Sequence, residues 1–250
     1  MSFKKISSAL IAAAMLGLSA NAQALIASDV VWVIDTSGSM GDDISGVKSR
    51  IGDFNTAMTN AGIDVRYGLV RFGGTASLIQ DITTFSLFNQ AGSPFQNLTA
   101  NGGGTEDGSA AIQVALGASF RSNVVRNIIL VTDEDDDVTT NRQALTDALA
   151  ATQANEFINV IRNPNDDAGN YYADLATSNN GNVFNIIDFR NNGDTFFTNF
   201  ITTKVAEIKD FCTANPTAPE CNPNNNVPEP GSLALIGLGL FGLASLRRRK

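Results

Sequence analysis

The stretch Asp29-Val30-Val31-Trp32-Val33-Ile34, followed at once by Asp35-Thr36-Ser37-Gly38-Ser39-Met40, decides how this 250-residue chain folds. An unbroken apolar run of this length reads as a strand buried on both faces, the pattern of a parallel sheet covered by helices. The residues after it put one carboxylate and two hydroxyls on a single tight turn, and Gly38 reads as the residue that lets both hydroxyls reach the same side. In a parallel α/β sheet, the positions just past a strand's C-terminal end line the crevice where ligands bind. Asp35, Ser37 and Ser39 are hard oxygen donors, suited to Mg2+, Mn2+ or Ca2+ and not to softer metals.

Working outward, further strand-like runs occur at Ile63–Phe72, Ser77–Phe85, Asn127–Thr132, Phe157–Ile161 and Asn182–Phe189. Helix-like stretches fall at Ile44–Ala61, Glu106–Ala118, Asn141–Asn155, Tyr171–Thr177 and Thr195–Phe211. Alternation of this kind predicts an α/β fold: a doubly wound, mostly parallel six-stranded sheet with helices on both faces. Only Gly73-Gly74-Thr75-Ala76 separates the second and third runs, so these are expected to pair as a hairpin with one antiparallel edge strand.

Composition removes whole classes of function. With 17 basic and 25 acidic residues the chain carries −8, the wrong sign for non-specific nucleic-acid binding. It has no histidine, which excludes Ser-His-Asp and Cys-His triads, a histidine general base and histidine-ligated zinc. Six of the cations (Lys4, Lys5, Arg247, Arg248, Arg249 and Lys250) lie in the two ends, leaving 11 against 25, or −14, between them.

Two more segments join the first in order along the chain. Gly103-Gly104-Thr105-Glu106-Asp107-Gly108 forms a glycine-rich loop before a helix, and Ile128-Ile129-Leu130-Val131-Thr132-Asp133 ends a strand on an aspartate. Together with Asp35-x-Ser37-x-Ser39 they resemble the von Willebrand factor A (vWA) domain with its metal-ion-dependent adhesion site (MIDAS), over about Ala27 to Asp210. One departure is Glu134, where that family usually has glycine. The resemblance implies that Ser37 and Ser39 ligate a divalent cation directly and that Thr105 joins directly or through water. It also implies that Asp35 and Asp133 hold the bound waters and hydroxyls, with one of them at times ligating directly. Neutral hydroxyl ligands leave the cation partly unneutralised, so it attracts a carboxylate from a partner's Asp or Glu.

Both ends read as addresses. Lys4 and Lys5 precede an apolar run from Ile6 to Leu18 and small residues at Ala20, Ala22 and Ala24, the layout of a signal peptide over 1–24. Residues 25–212 form the expected domain, and 213–227 an Asn/Pro-rich linker. From 228 to 250, Pro228-Glu229-Pro230, a short apolar transmembrane helix (Leu233–Leu246) and a basic tail resemble a PEP-CTERM sorting signal. That resemblance implies transient inner-membrane anchoring, then cutting by an exosortase during passage to the cell surface or matrix. Cys212 and Cys221, close together in an exported chain, are expected to be bridged.

Competing readings fail on particular residues. A haloacid-dehalogenase-type phosphatase needs a second aspartate where Ser37 stands, and a serine hydrolase through Ser39 has no histidine to activate it. Gly102-Gly103-Gly104 is not followed by Gly-Lys-Ser/Thr, so it is no phosphate loop. The run Asp133-Glu134-Asp135-Asp136-Asp137 reads as a solvated acidic loop in which only Asp133 has a role, and Asp42-Asp43 fits a helix dipole at least as well as metal binding. The expectation is a non-enzymatic, metal-dependent adhesion module. Its alternative is a structural exopolysaccharide or biofilm matrix component in which the metal only stabilises the fold.

Overall fold

The computed structural model describes residues 26–152 and 156–221. The signal peptide expected over 1–24, the Pro228-Glu229-Pro230 motif and the Leu233–Leu246 run therefore lie outside the described residues. Six strands, β1 (Ile26–Asp35), β2 (Ile63–Phe72), β3 (Ser77–Thr83), β4 (Val125–Val131), β5 (Glu156–Arg162) and β6 (Val183–Asn185), form one sheet in the order β3-β2-β1-β4-β5-β6. All neighbours are parallel except β2 and β3. The doubly wound sheet with one antiparallel edge strand is the one expected. Strand order reverses between β1 and β4, so the crevice at their C-terminal ends is the topological switch point.

The apolar run of β1 divides between the two faces of the sheet. Val30, Trp32 and Ile34 pack on one side with helix α1 (Gly41–Asn60), while Val31 and Val33 pack on the other. In α1 the buried positions Ile44, Val47, Ile51, Phe54 and Met58 recur every three or four residues, one continuous stripe. The helix stops where Gly62 takes a positive φ of 79°, a conformation that costs glycine least. Trp32 meets Phe54 at 5.7 Å and Phe200 at 6.0 Å between ring centroids. Each such buried side chain contributes about 1.5–3 kcal/mol over leaving it in water. The opposite face is covered by α3 (Gly108–Leu116), α4 (Asn141–Thr152) and α5 (Tyr171–Ser178).

Two strand expectations are corrected. The third run ends at Thr83 and is followed by the one-turn helix α2 (Phe85–Phe88). The sixth is a strand only over Val183–Asn185; Ile186–Asn191 is a helix, α6. Asn185 caps it, its Oδ1 accepting from the Ile187 N–H at 2.9 Å, and Ile186 and Phe189, three apart, are both buried. That spacing suits a helix turned toward the core, and a strand would have put the two on opposite faces.

The last helix, α7 (Gly193–Ala214), carries a fully buried Lys204 on its apolar stripe beside Phe197, Phe200 and Ile208. Its Nζ donates to Asn127 Oδ1 at 2.5 Å and to Glu207 Oε1. Asn182 Nδ2 donates to the other Glu207 oxygen at 2.7 Å. Burial holds the Lys204 ammonium below its ordinary pKa, with Glu207 opposing that shift. The network fixes α7 against the sheet. Beyond the helix, Cys212 and Cys221 are bridged, as expected, with Cα atoms 5.0 Å apart. Among the described residues no helix is long and apolar enough to cross a membrane.

Candidate metal centre

Three loops meet at the switch point: the turn after β1, the β2–β3 turn and the glycine-rich loop before α3. The Thr36 N–H donates to Phe72 O at 2.8 Å, Gly102 N–H to Thr36 O at 2.7 Å, and Gly103 N–H to Gly73 O at 2.8 Å. Such contact requires glycine. A Cβ on Gly102 would lie 2.6 Å from both Gly73 O and Thr36 Oγ1, and one on Gly73 (φ 100°) would lie 3.0 Å from the Ser37 nitrogen. Gly38 is different: a Cβ there meets nothing within 4 Å, so its expected steric role belongs to Gly73 and Gly102.

Four of the five expected site residues join one hydrogen-bonded chain. The Ser37 N–H donates to Asp35 Oδ1 at 2.7 Å, and the Ser37 and Ser39 hydroxyls lie 3.2 Å apart. Ser39 Oγ donates to Asp133 Oδ1 at 2.9 Å. Thr132 Oγ1 donates to the second Asp35 oxygen at 2.9 Å. Thr105 is placed by its backbone, its carbonyl accepting from the Gly74 N–H at 2.8 Å. Its exposed side chain bonds to none of the other four.

Electrostatics separate the two aspartates. Asp35 is fully buried, and loss of solvent raises its pKa to about 6 against the hydrogen bonds from Ser37 and Thr132. Asp133 instead has a counter-ion in Arg190, whose Nη2 donates to its Oδ2 at 2.7 Å. The same guanidinium grips Asp43, with Nη2 to Oδ2 at 2.5 Å and Nε to both oxygens at 3.1 Å. Burial pushes Asp43 up, which Arg190 offsets only in part. Asp43 thus does more than face a helix dipole: it shares the arginine that α6 delivers. The sequence reading missed Arg190; the signal was the Asn185 cap and the Ile186–Phe189 spacing, which mark a helix where a strand was expected. Beside this pair opens a cleft of about 530 Å³ lined by Ser39, Asp42, Gly46, Arg50, Phe189 and Arg190, among others.

The acidic run also has more structure than expected. Asp136 is buried, accepting from Ser109 N–H at 3.2 Å, Ser109 Oγ at 2.7 Å and Arg142 Nε at 2.9 Å. Asp137 accepts the Glu106 N–H at 2.9 Å and returns its own N–H to Glu106 O at 3.0 Å. These two carboxylates tie the loop after β4 to the glycine-rich loop before α3, which explains an acidic run without any ion in it. Burial, together with Glu134 and Asp35, lifts Glu106 to about 8.

The residues fit a hard divalent cation. The grouped donors are carboxylate and hydroxyl oxygens, Asp35 is an ionisable group held out of water, and Glu106 Oε1 is buried with no hydrogen-bond partner. Among the described residues no three carboxylates or cysteines converge as a metal cage, so an ion here depends on hydroxyls and water as well.

Residues 29–198 match the family model described as von Willebrand factor type A domain, and residues 226–250 the PEP-CTERM protein-sorting motif. Among solved structures, the chain is similar to a von Willebrand factor type A protein from Catenulispora acidiphila (17% identity, TM-score 0.53). That match covers 72% of this chain and 42% of the other. It is also similar to proximal thread matrix protein 1 from the mussel byssus, with a zinc-occupied MIDAS motif (14% identity, TM-score 0.50). There the coverage is 65% of this chain and 42% of that one. At such identities the likeness is one of fold. No curated protein matches the chain.

Proposed function

This chain belongs to the von Willebrand factor type A domain family, and from that premise we propose that it is an exported module that captures a partner protein's acidic side chain at a divalent-cation site. The sorting motif implies export to the surface or matrix and processing by an exosortase. Ser37, Ser39 and Thr105 would present hydroxyls to Mg2+, Mn2+ or Ca2+, and Asp35 and Asp133 would orient those hydroxyls and the bound water. When bound, the cation supplies an electrophilic centre for an outside carboxylate.

One observation carries the reading: Asp133 already has Arg190 as its counter-ion. Within the hydrogen-bonded set, Asp35 is therefore the carboxylate left to offset an ion's charge. An ion held mainly by hydroxyls keeps much of its charge for a partner. Binding, and not catalysis, is proposed, since the chain has no histidine and the grouped hydroxyls have no general base other than carboxylates. The mussel protein, described with zinc at its MIDAS motif, is a case of this fold holding a divalent cation.

The test is a calorimetric titration of the exported protein with MgCl2, MnCl2 and CaCl2, paired with capture of surface proteins with and without EDTA. Ser39→Ala is expected to weaken ion binding by at least about tenfold and to abolish EDTA-sensitive capture while circular dichroism stays unchanged. Capture that persists in EDTA would instead favour the matrix-component reading. Intact mass of the mature protein checks the tail, since retention of residues 231–250 would count against exosortase cutting.

A further inference from the structure

Glu106 is the one buried carboxyl in the centre whose oxygen faces no donor. The residue is 1% exposed, and its Oε1 is without a hydrogen-bond partner. Its backbone is held in place, the N–H and C=O both bound to Asp137, at 2.9 and 3.0 Å. Its neighbour Thr105 is anchored to Gly74. The charges acting on the Glu106 carboxyl are themselves acidic: Glu134, Asp35 and Asp137. No arginine or lysine is paired with Glu106 among the described residues. Burying an unpaired carboxyl among carboxyls is costly unless a proton or a cation neutralises it.

We infer that Glu106 is a member of the divalent-cation site, giving its unpartnered Oε1 to the ion or to a water on it, and that it tilts the site toward Ca2+. The inference rests on the cation-site reading above. Its reason is ligand count and flexibility. A carboxylate from a second loop adds an oxygen to a mixed set of hydroxyls, carboxylates and water. Ca2+ accommodates six to eight such oxygens in irregular geometry, whereas Mg2+ demands a near-ideal octahedron. The added negative charge tightens ion binding and lowers the charge left for a partner. Arg190, beside the adjoining cleft, restores some positive field where a partner would dock.

Glutamine is nearly the same shape as a protonated glutamic acid, so Glu106→Gln separates a ligand from a merely buried acid. The exported protein is titrated calorimetrically with CaCl2 and with MgCl2. The wild type is expected to bind Ca2+ more tightly than Mg2+. Glu106→Gln should weaken Ca2+ binding by about tenfold or more and narrow the preference between the ions. Affinities within twofold of wild type for both ions would overturn the inference. If Glu106→Gln does not fold, the Glu106 side-chain carboxyl carbon resonance of the wild type decides. A shift that saturates with added CaCl2 supports the assignment, and an unmoved resonance overturns it. If Ser39→Ala weakens ion binding and Glu106→Gln does not, this inference alone fails; if neither does, the cation site itself is wrong.

Discussion

Arg190 offers the sharpest test of how the centre is held together. Its Nη2 touches Asp43 at 2.5 Å and Asp133 at 2.7 Å, so the two carboxylate oxygens on that nitrogen lie within about 5 Å of each other. Both carboxylates are buried, Asp43 at 2% and Asp133 at 7% exposure. Arg190→Met keeps the stem and removes the charge. Two carboxylates at about 5 Å repel by roughly 3 kcal/mol at an effective dielectric near 20. The arginine is itself 36% exposed, so water re-enters when it is gone, and the net loss is set at about 2–3 kcal/mol. For a domain of this size that is roughly 5–10 °C in Tm. The assay is thermal unfolding in EDTA and then in saturating CaCl2. Because an ion would also compensate Asp133, it should return about half of the loss, giving the variant a larger ion-induced rise in Tm than the wild type. Calorimetry should show the variant binding the ion more tightly, since a competing cation has been removed. A Tm in EDTA within 2 °C of wild type would show that the guanidinium is no structural counter-ion. Equal ion-induced rises in the two proteins would show that Arg190 and the ion do not share Asp133.

Three further outcomes are expected. Lys204→Met leaves Glu207 buried without its cation and should cost about 3–5 kcal/mol; Lys204→Met with Glu207→Leu should recover at least half of it, and chemical denaturation showing simple additivity would refute the coupling. In EDTA, Asp35 and Glu106 bind protons more tightly folded (about 6 and about 8) than at their ordinary values of 3.8 and 4.5. Their contribution to stability therefore rises as pH falls through 8 and 6 and is complete below about 4; Tm in EDTA should show this slope, Glu106→Gln should lose part of it, and saturating Ca2+ should flatten it. Gly102→Ala forces a Cβ to within 2.6 Å of Gly73 O and should cost about 1–3 kcal/mol and weaken ion binding, whereas Gly38→Ala, facing open space, should change Tm by less than 2 °C.

Much of this was legible in the chain because the signals are local. The apolar run of β1, the short glycine turn before β3 and the alternation of strand and helix patterns each report on a few consecutive residues. The sixth run misled because Ile186, Ile187 and Phe189 have strand-like composition, while the deciding facts were the Asn185 cap and the three-residue spacing of Ile186 and Phe189. Asp35, Ser37, Ser39 and Asp133 were found together because they lie just past two strands that the fold makes neighbours. Asp136 and Asp137 looked like solvated charge, since nothing local announces that Ser109 and Glu106 will donate to them.

By itself, then, the sequence determined the order of elements, both faces of β1, the loop that carries the hydroxyls and the paired cysteines. Only the tertiary structure decided which charges compensate one another. Arg190 reaches Asp43 across 147 positions and Asp133 across 57, and Lys204 reaches Asn127 across 77. Secondary structure is written in periodicity over a few residues, so it can be read from the chain. The pairing of buried charges depends on where separate elements stop and how they cross, and that geometry exists only once the sheet has formed.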